Sequence, residues 1–320
     1  MTWRPQASLP TLRLRAELLA ATRAFFAERG VLEVDTPSLV RHAVTDPQLH
    51  SAEVRLPGHP ATLYLHTSPE YAMKRLLAAG SGDIYQIAHV YRGEEFSRLH
   101  NPEFTLVEWY RCGFSMPALM DEVAQLTQRL LGMSPALPLE HLSYSAALER
   151  ATGCEPLGAS DTRLRGVAIE LGLELRLAAQ CQRDELLDWL MASVVGPRLG
   201  EQALCFVHGY PASQASLARL DPDDARIARR FELYYRGVEL ANGFEELADA
   251  AEQRARFEAD REQRRQRDLP LPEIDQALLQ ALESGLPPVA GVALGFDRLL
   301  MLRTGASEIA SVLTFALPRA

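Results

Sequence analysis

The amino-acid sequence predicts an α+β fold, and three patterns carry that reading. Leu14, Leu18, Ala21 and Phe25 recur at the spacing of one helical face. Phe104, Leu106, Glu108 and Tyr110 alternate with Thr105, Val107 and Trp109, so each set lines one face of an extended strand. Phe231 to Glu246 reads as two strands turning at Arg236-Gly237, the two-residue loop of a hairpin. With 320 residues, 47% of them apolar, the chain has ample material for a core. One domain spanning residues 1–320 is expected, since no low-complexity linker or internal repeat divides it.

Taken in order, the first helix has Ser8 as its cap, Pro10 in its first turn and Gly30 as its stop. Val31 to Pro37 follows as an extended piece. Leu63 to Thr67 reads as a strand, and Ser68-Pro69-Glu70 opens a helix, with Ser68 as the cap, Pro69 at the first position and Glu70 in the electropositive first turn. That chemistry alone is enough to explain Glu70. A strand from Ile84 to Tyr91 ends at Arg92, and residues 117–131 form an apolar-periodic helix. Residues 140–200, including a helix from Glu185 to Val195, read as a helical insertion. Strand character returns at Ala203 to His208 and is strongest from Phe231 to Leu240. The segment 251–267 alternates in charge, as a solvated helix face does. Gly291 to Leu302 is a strand turning into a helix, and Ile309 to Ala316 reads as a final apolar strand.

Composition narrows the function classes. A net charge of -9 and a pI near 5.5 give no general attraction to a polyanion. The sequence has no apolar run of 18 residues and no secretory leader pattern, so a cytoplasmic protein without membrane contact is expected. Cys112, Cys154, Cys181 and Cys205 are scattered without the spacing of a zinc site or a disulfide framework. Lys74 is the sole lysine of the chain.

Three places concentrate chemistry. Glu108 sits on an otherwise apolar strand face, where a carboxylate costs several kcal/mol or so unless an internal arginine or an incoming cation meets it. Arg92 offers a planar fork suited to phosphate or carboxylate. In the hairpin, Tyr234 faces Glu239 with Glu232 diagonal to it, so two like charges repel until a cation such as magnesium relieves them. A bulge at Asn242-Gly243 would bring Asn242, Phe244 and Glu246 onto that same face. Finally, Gly291 and Gly295 permit close approach of a flat ligand, while Arg298 lies in the first turn of the next helix.

Arg92-Gly93-Glu94, His100-Asn101-Pro102-Glu103-Phe104-Thr105 and Glu108-Trp109-Tyr110 resemble motif 2 of the class II aminoacyl-tRNA synthetases, in particular the lysyl branch. Residues 25–39 resemble motif 1, and Gly291 to Arg298 resembles motif 3. With Ser68-Pro69-Glu70 and Glu239 to Glu246 between them, these occur in the order of the lysyl catalytic domain. The resemblance implies an antiparallel sheet flanked by helices, a homodimer formed through motif 1, and activation of an amino acid by ATP to an acyl-adenylate with release of pyrophosphate. It gives the phosphates to Arg92 and Arg298, the adenine edge to Glu94, and the nucleotide site also to Gly93, His100, Asn101, Glu239, Leu240 and Gly295. Magnesium falls to Glu232 and Glu239. Ser68, Pro69, Glu70, Glu108, Tyr110, Asn242, Phe244 and Glu246 match the lysine pocket.

Two departures from the synthetases shape the expected acceptor and substrate. About ten residues precede the first helix, which leaves no anticodon-reading domain in the sequence, so stable tRNA binding is not expected. The resemblance is closest to stand-alone paralogues whose acceptor is a lysine side chain of elongation factor P, which makes the expected enzyme an amide-forming ligase. Ala293 stands where the synthetases carry glycine, and its methyl group would favour (R)-β-lysine over lysine. Gly93 stands in place of their asparagine. A small-molecule amino-acid ligase, a truncated lysyl-tRNA synthetase and a noncatalytic amino-acid-binding regulator remain open alternatives.

Overall fold

Trp109 is fully buried beneath the first helix, and the residues around it show what holds this part of the chain together. Phe26 stacks on Tyr85 at 4.3 Å between ring centroids and meets Trp109 edge-on at 5.3 Å. The indole N–H is not stranded, since it donates to Glu122 at 3.1 Å. The computed structural model describes residues 3–93, 96–317, 319 and 320. Its contacts gather into two compact units, residues 1–133 with 248–320 and residues 134–247, where the sequence pattern predicts one domain.

In the first unit, Leu32–Glu33 lies parallel to Ile84–Tyr91, which runs antiparallel to Glu103–Cys112, which in turn pairs antiparallel with Val289–Gly295. The helices Leu9–Ala27, Met116–Leu131 and Phe296–Thr304 belong to the same unit. Ser8 caps the first by accepting the Thr11 N–H, as its side chain predicts. A small antiparallel sheet, Leu39–Val40, Leu63–Leu65 and Glu53–Val54, accompanies the helices Glu70–Ala78, Ala250–Gln266 and Gln276–Gly285. The last of these was not anticipated from the sequence.

In the second unit, Leu139–Ser143 lies parallel to Leu204–Pro211, followed by antiparallel Ile227–Tyr235 and Val238–Glu245. Four helices, Tyr144–Thr152, Asp161–Glu170, Leu175–Gln180 and Arg183–Leu190, and a π turn at Met191–Val195 fill the segment predicted to be helical. Leu148, Leu164, Leu186 and Leu190 form the centre of their core.

Four expectations need correction. Ile309–Val312 is a 3₁₀ turn and the chain makes no strand from Ile309 to Ala316, because a short apolar run does not distinguish a strand from a packed turn. The helix after Thr67 begins at Glu70, so Pro69 occupies the cap position, and the Ser68 hydroxyl accepts the Glu70 N–H. The hairpin bulge lies at Leu240, between the pairs Glu239–Tyr234 and Ala241–Leu233, two residues before Asn242. The charge-rich helix is also more than a solvated face. Its Arg264 is buried and donates to the carbonyls of Thr45, Asp46, Leu49 and Pro270. Among the described residues, no helix is long and apolar enough to cross a membrane.

Candidate active site

Glu108 lies at the centre of the site in the first unit. Strand register places Gln86 on one side of it and Ala293 on the other, on the face that also carries Leu106 and Tyr110. Gly291, Ala293 and Gly295 stand opposite Tyr110, Glu108 and Leu106, so the neighbouring strand leaves this face bare of bulk. Glu108 is only 2% exposed. Tyr110 Oη donates to its Oε1 at 2.7 Å and Ser68 Oγ donates to its Oε2 at 2.7 Å. Even so, burial, joined by the charge of Glu70, pushes the carboxyl up to about 7, while Tyr110, Ser68 and Lys74 pull in the other direction. The cation foreseen for Glu108 is thus partly supplied from within, by a lysine rather than an arginine. Lys74 Nζ lies 2.8 Å from Glu70 Oε1. Pro69 is buried at the head of this helix.

Arg92 follows the strand Ile84–Tyr91. Its backbone N–H donates to Pro102 at 2.8 Å, its Nε donates to Thr67 O at 3.4 Å, and its guanidinium lies over Phe104 at 5.1 Å from the ring centroid. These contacts orient the fork. Gly93 donates its N–H to His50 O at 2.8 Å, and a Cβ built there would stand 3.3 Å from both the Cβ and the carbonyl oxygen of His50. This close approach gives glycine at that position a physical reason. Glu94 falls outside the described residues.

Arg298 and His100 meet at 2.7 Å between Nη2 and Nε2, and Ser97 Oγ lies 2.6 Å from the other ring nitrogen. Because the arginine donates, His100 Nε2 accepts, which makes Nδ1 the protonated nitrogen. Asn101 is committed to its own loop: its amide donates to Glu103 O at 2.6 Å and its oxygen accepts the Leu317 N–H at 3.3 Å. Gly295 caps the helix that carries Arg298.

The second unit holds the other predicted residues. Because Leu240 is the bulge, Glu239, Asn242 and Phe244 share a face with Tyr234, Glu232 and Arg230. The expected sharing of a face therefore holds for Asn242 and Phe244, through a different residue, while Glu246 lies beyond the strand and bridges to Ala218. The like-charge conflict does not hold. Glu232 accepts from Arg230 at 2.5 Å and from Tyr234 Oη at 2.6 Å, so its charge is met inside the unit. Burial, and after it Glu232, drives the Tyr234 phenol well above its usual range, so it stays a donor. Glu239 is half-buried and Leu240 buried. Phe244 packs against Ala215, Ala218 and Ala228. Glu246 is buried, and Asn242 Oδ1 is buried without a hydrogen-bond partner among the described residues, an acceptor suited to an incoming N–H. Among the described residues no three His, Cys, Asp or Glu side chains converge as a metal cage. Of the two carboxylates expected to hold magnesium, Glu232 already has both oxygens engaged and Glu239 on the same face is half-buried; magnesium needs only one or two carboxylates and completes its shell with water and phosphate.

Four residues went unremarked as site residues in the sequence: Lys74, Arg15, Asp297 and Arg230. Lys74 and Arg230 each left a signal: Lys74 follows Glu70 by four, the helical spacing at which Glu and Lys pair, and Arg230 precedes Glu232 by two, the spacing of one strand face. Arg15 and Asp297 meet only through tertiary structure.

The family described as tRNA synthetases class II (D, K and N) matches residues 1–319. Proteins named elongation factor P--(R)-beta-lysine ligase from Salmonella dublin, Salmonella paratyphi B and Salmonella heidelberg are each 50% identical to this chain over 323 aligned residues. The alignments cover 100% of this chain and 98% of each relative.

Proposed function

The chain belongs to the class II tRNA synthetase family of the D, K and N type, and we propose that it is an ATP-dependent ligase that activates (R)-β-lysine, or lysine, and transfers it to a lysine side chain of elongation factor P. The observation that carries the diamino-acid reading is the buried Glu108 carboxylate, clasped by Tyr110 and Ser68 on a sheet face cleared by Gly291, Ala293 and Gly295. A compact ammonium supplies the charge such a carboxylate lacks. The acceptor rests on full-length similarity to the ligases named above.

In the first step a carboxylate oxygen of the amino acid attacks the α-phosphorus of ATP, and pyrophosphate leaves. In the second the acceptor amine, having lost a proton, attacks the acyl carbon, an amide forms and AMP leaves. No protein nucleophile is needed, because the work is positioning and neutralisation of charge. Arg92 grips the α-phosphate and Arg298, oriented by His100, the γ-phosphate. Gly93, Glu94, His100, Asn101, Leu240 and Gly295 complete the nucleotide contacts. In the first unit Glu108 and Tyr110 hold the side-chain ammonium and Glu70 the other amino group, with Ser68 and Pro69 shaping the pocket; in the second unit Asn242, Phe244 and Glu246 have the amino-acid-binding roles that the family resemblance implies. Magnesium would be held by Glu239, with Glu232 lending an oxygen beside Arg230, and it would supply charge neutralisation at the phosphates. The helix Leu9–Ala27 and the strand after it form the homodimer contact in this reading, and Leu9 and Leu32 are large apolar side chains exposed there.

The deciding experiment incubates the protein with ATP and labelled (R)-β-lysine or lysine in the presence of elongation factor P or total tRNA. Label is expected in the protein and absent from the RNA. Label entering RNA alone would overturn the assignment of the acceptor.

A further inference from the structure

Lys74 is the only lysine in the chain, and all the other basic residues among its 33 Lys and Arg are arginine. It is also among the most buried side chains, at 2% exposure. From the helix Glu70–Ala78 it reaches back one turn, with Nζ 2.8 Å from Glu70 Oε1. Ser68 joins this pair to the strand: its hydroxyl donates to Glu108 and accepts the N–H of Glu70. Two carboxyl groups and one amine therefore occupy one buried corner. The groups acting on Glu108 are Glu70 and Lys74 from the helix, Ser68 from its approach and Tyr110 from its own strand, with uncharged Gln86 and Ala293 on the flanking strands.

We propose that Lys74 is a positioning residue that tunes the charge of the amino-acid pocket: it fixes Glu70 by their ion pair and favours the ionised form of Glu108, the form that meets a substrate ammonium. This rests on the diamino-acid reading above. The physical case is the cost of the alternative. Without Lys74 two buried carboxylates repel, and one of them takes up a proton. A protonated Glu108 meets an ammonium with a neutral acid and loses the charge-assisted bond. A compact ammonium suits the corner better than a guanidinium, which is broader and needs a plane of partners.

The test is the pH dependence of (R)-β-lysine and lysine binding, measured by calorimetry without ATP. The proteins are the wild type, Lys74→Met, Glu70→Gln and the double variant. Wild-type affinity is expected to rise with pH through about 7, as Glu108 ionises. In Lys74→Met the inflection is expected to move up by about one unit, with affinity at neutral pH roughly fivefold weaker and approaching tenfold weaker at lower pH, while ATP binding stays within about twofold of wild type. The double variant removes both members of the ion pair, which a buried site tolerates better than losing one. Its inflection is expected above that of Glu70→Gln and below that of Lys74→Met. If Lys74→Met fails to fold, the comparison of Glu70→Gln with the double variant decides. An inflection that does not move when Lys74 is replaced would overturn the proposal alone. Absence of wild-type binding to either amino acid at any pH would remove the diamino-acid reading and the proposal with it.

Discussion

Asp297 Oδ2 accepts the backbone N–H of Thr105 at 2.7 Å, and the other oxygen of the same carboxylate is taken by the guanidinium of Arg15. Arg15 also donates to Thr105 Oγ1 at 2.7 Å and lies over the Phe296 ring at 5.1 Å from its centroid. One buried carboxylate thus joins the first helix, the strand that bears Glu108 and the helix that bears Arg298. Asp297 is 1% exposed, and Arg15 is its ion-pair partner. Replacement of Arg15 by Met is expected to cost about 3 kcal/mol, the scale of a buried pair broken on one side. Chemical denaturation of Arg15→Met, Asp297→Asn and the double variant checks this. The double variant should lose clearly less than the sum of the two single losses.

Glu108 makes stability depend on pH. Its carboxyl rises from an ordinary value of 4.5 to about 7 on folding, burial being the larger cause and Glu70 the next. Between these values the unfolded chain has released the proton and the folded one retains it, so stability falls as pH rises from about 4.5 to about 7 and is level above. The full effect is on the order of 3 kcal/mol. Thermal unfolding across this range should show the slope in the wild type and a shallower one in Glu108→Gln. Added (R)-β-lysine or lysine should recover stability most at the upper end, where the carboxylate is ionised.

Arg298 is held against His100 on the helix that Gly295 caps. Arg298→Ala is expected to lower amino-acid-dependent pyrophosphate exchange by about 10²-fold or more, the loss seen when one electrostatic stabiliser is removed. Unfolding should change little. Normal exchange in this variant would take Arg298 out of the mechanism.

Gly93, next to Arg92, is tied to His50 through its N–H, and Arg264 secures the carbonyls of the chain just before His50. Gly93→Asn introduces a Cβ at 3.3 Å from His50 and should shift Arg92 with the loop. The expected result is a KM for ATP raised about tenfold, a change of about 1.4 kcal/mol, with the KM for the amino acid nearly unchanged. Arg264→Leu should raise the same constant and also cost about 3 kcal/mol of stability, since it strips four carbonyls of a charged donor. Steady-state kinetics against each substrate separates the two effects.

Ala293 stands directly across from Glu108. Removing its methyl group in Ala293→Gly frees space beside that carboxylate. The ratio of kcat/KM for (R)-β-lysine to that for lysine in adenylation is expected to fall by about 10-fold, the scale of one methyl group in a pocket. An unchanged ratio would show that the methyl group does not read the position of the amino group.

Much of this protein was legible in one dimension, because local rules set it. The helix capped by Ser8 follows from periodicity and side-chain capping, and the strand with Glu108 on its apolar face follows from alternation. The turn at Arg236-Gly237 follows from the demand for positive φ, which reaches 50° and 71° at those residues. Tertiary structure decided what the charged groups with partners far away in the chain meet. Arg15 reaches Asp297 across 282 residues, and Arg264 turns a charged helix into an anchor for a loop. The position of the bulge at Leu240 belongs here too, because it depends on which partner each strand residue faces. The physical reason is range: propensity and periodicity act over a few residues of one segment, whereas the cost of a buried charge is settled only by groups that other segments bring to it.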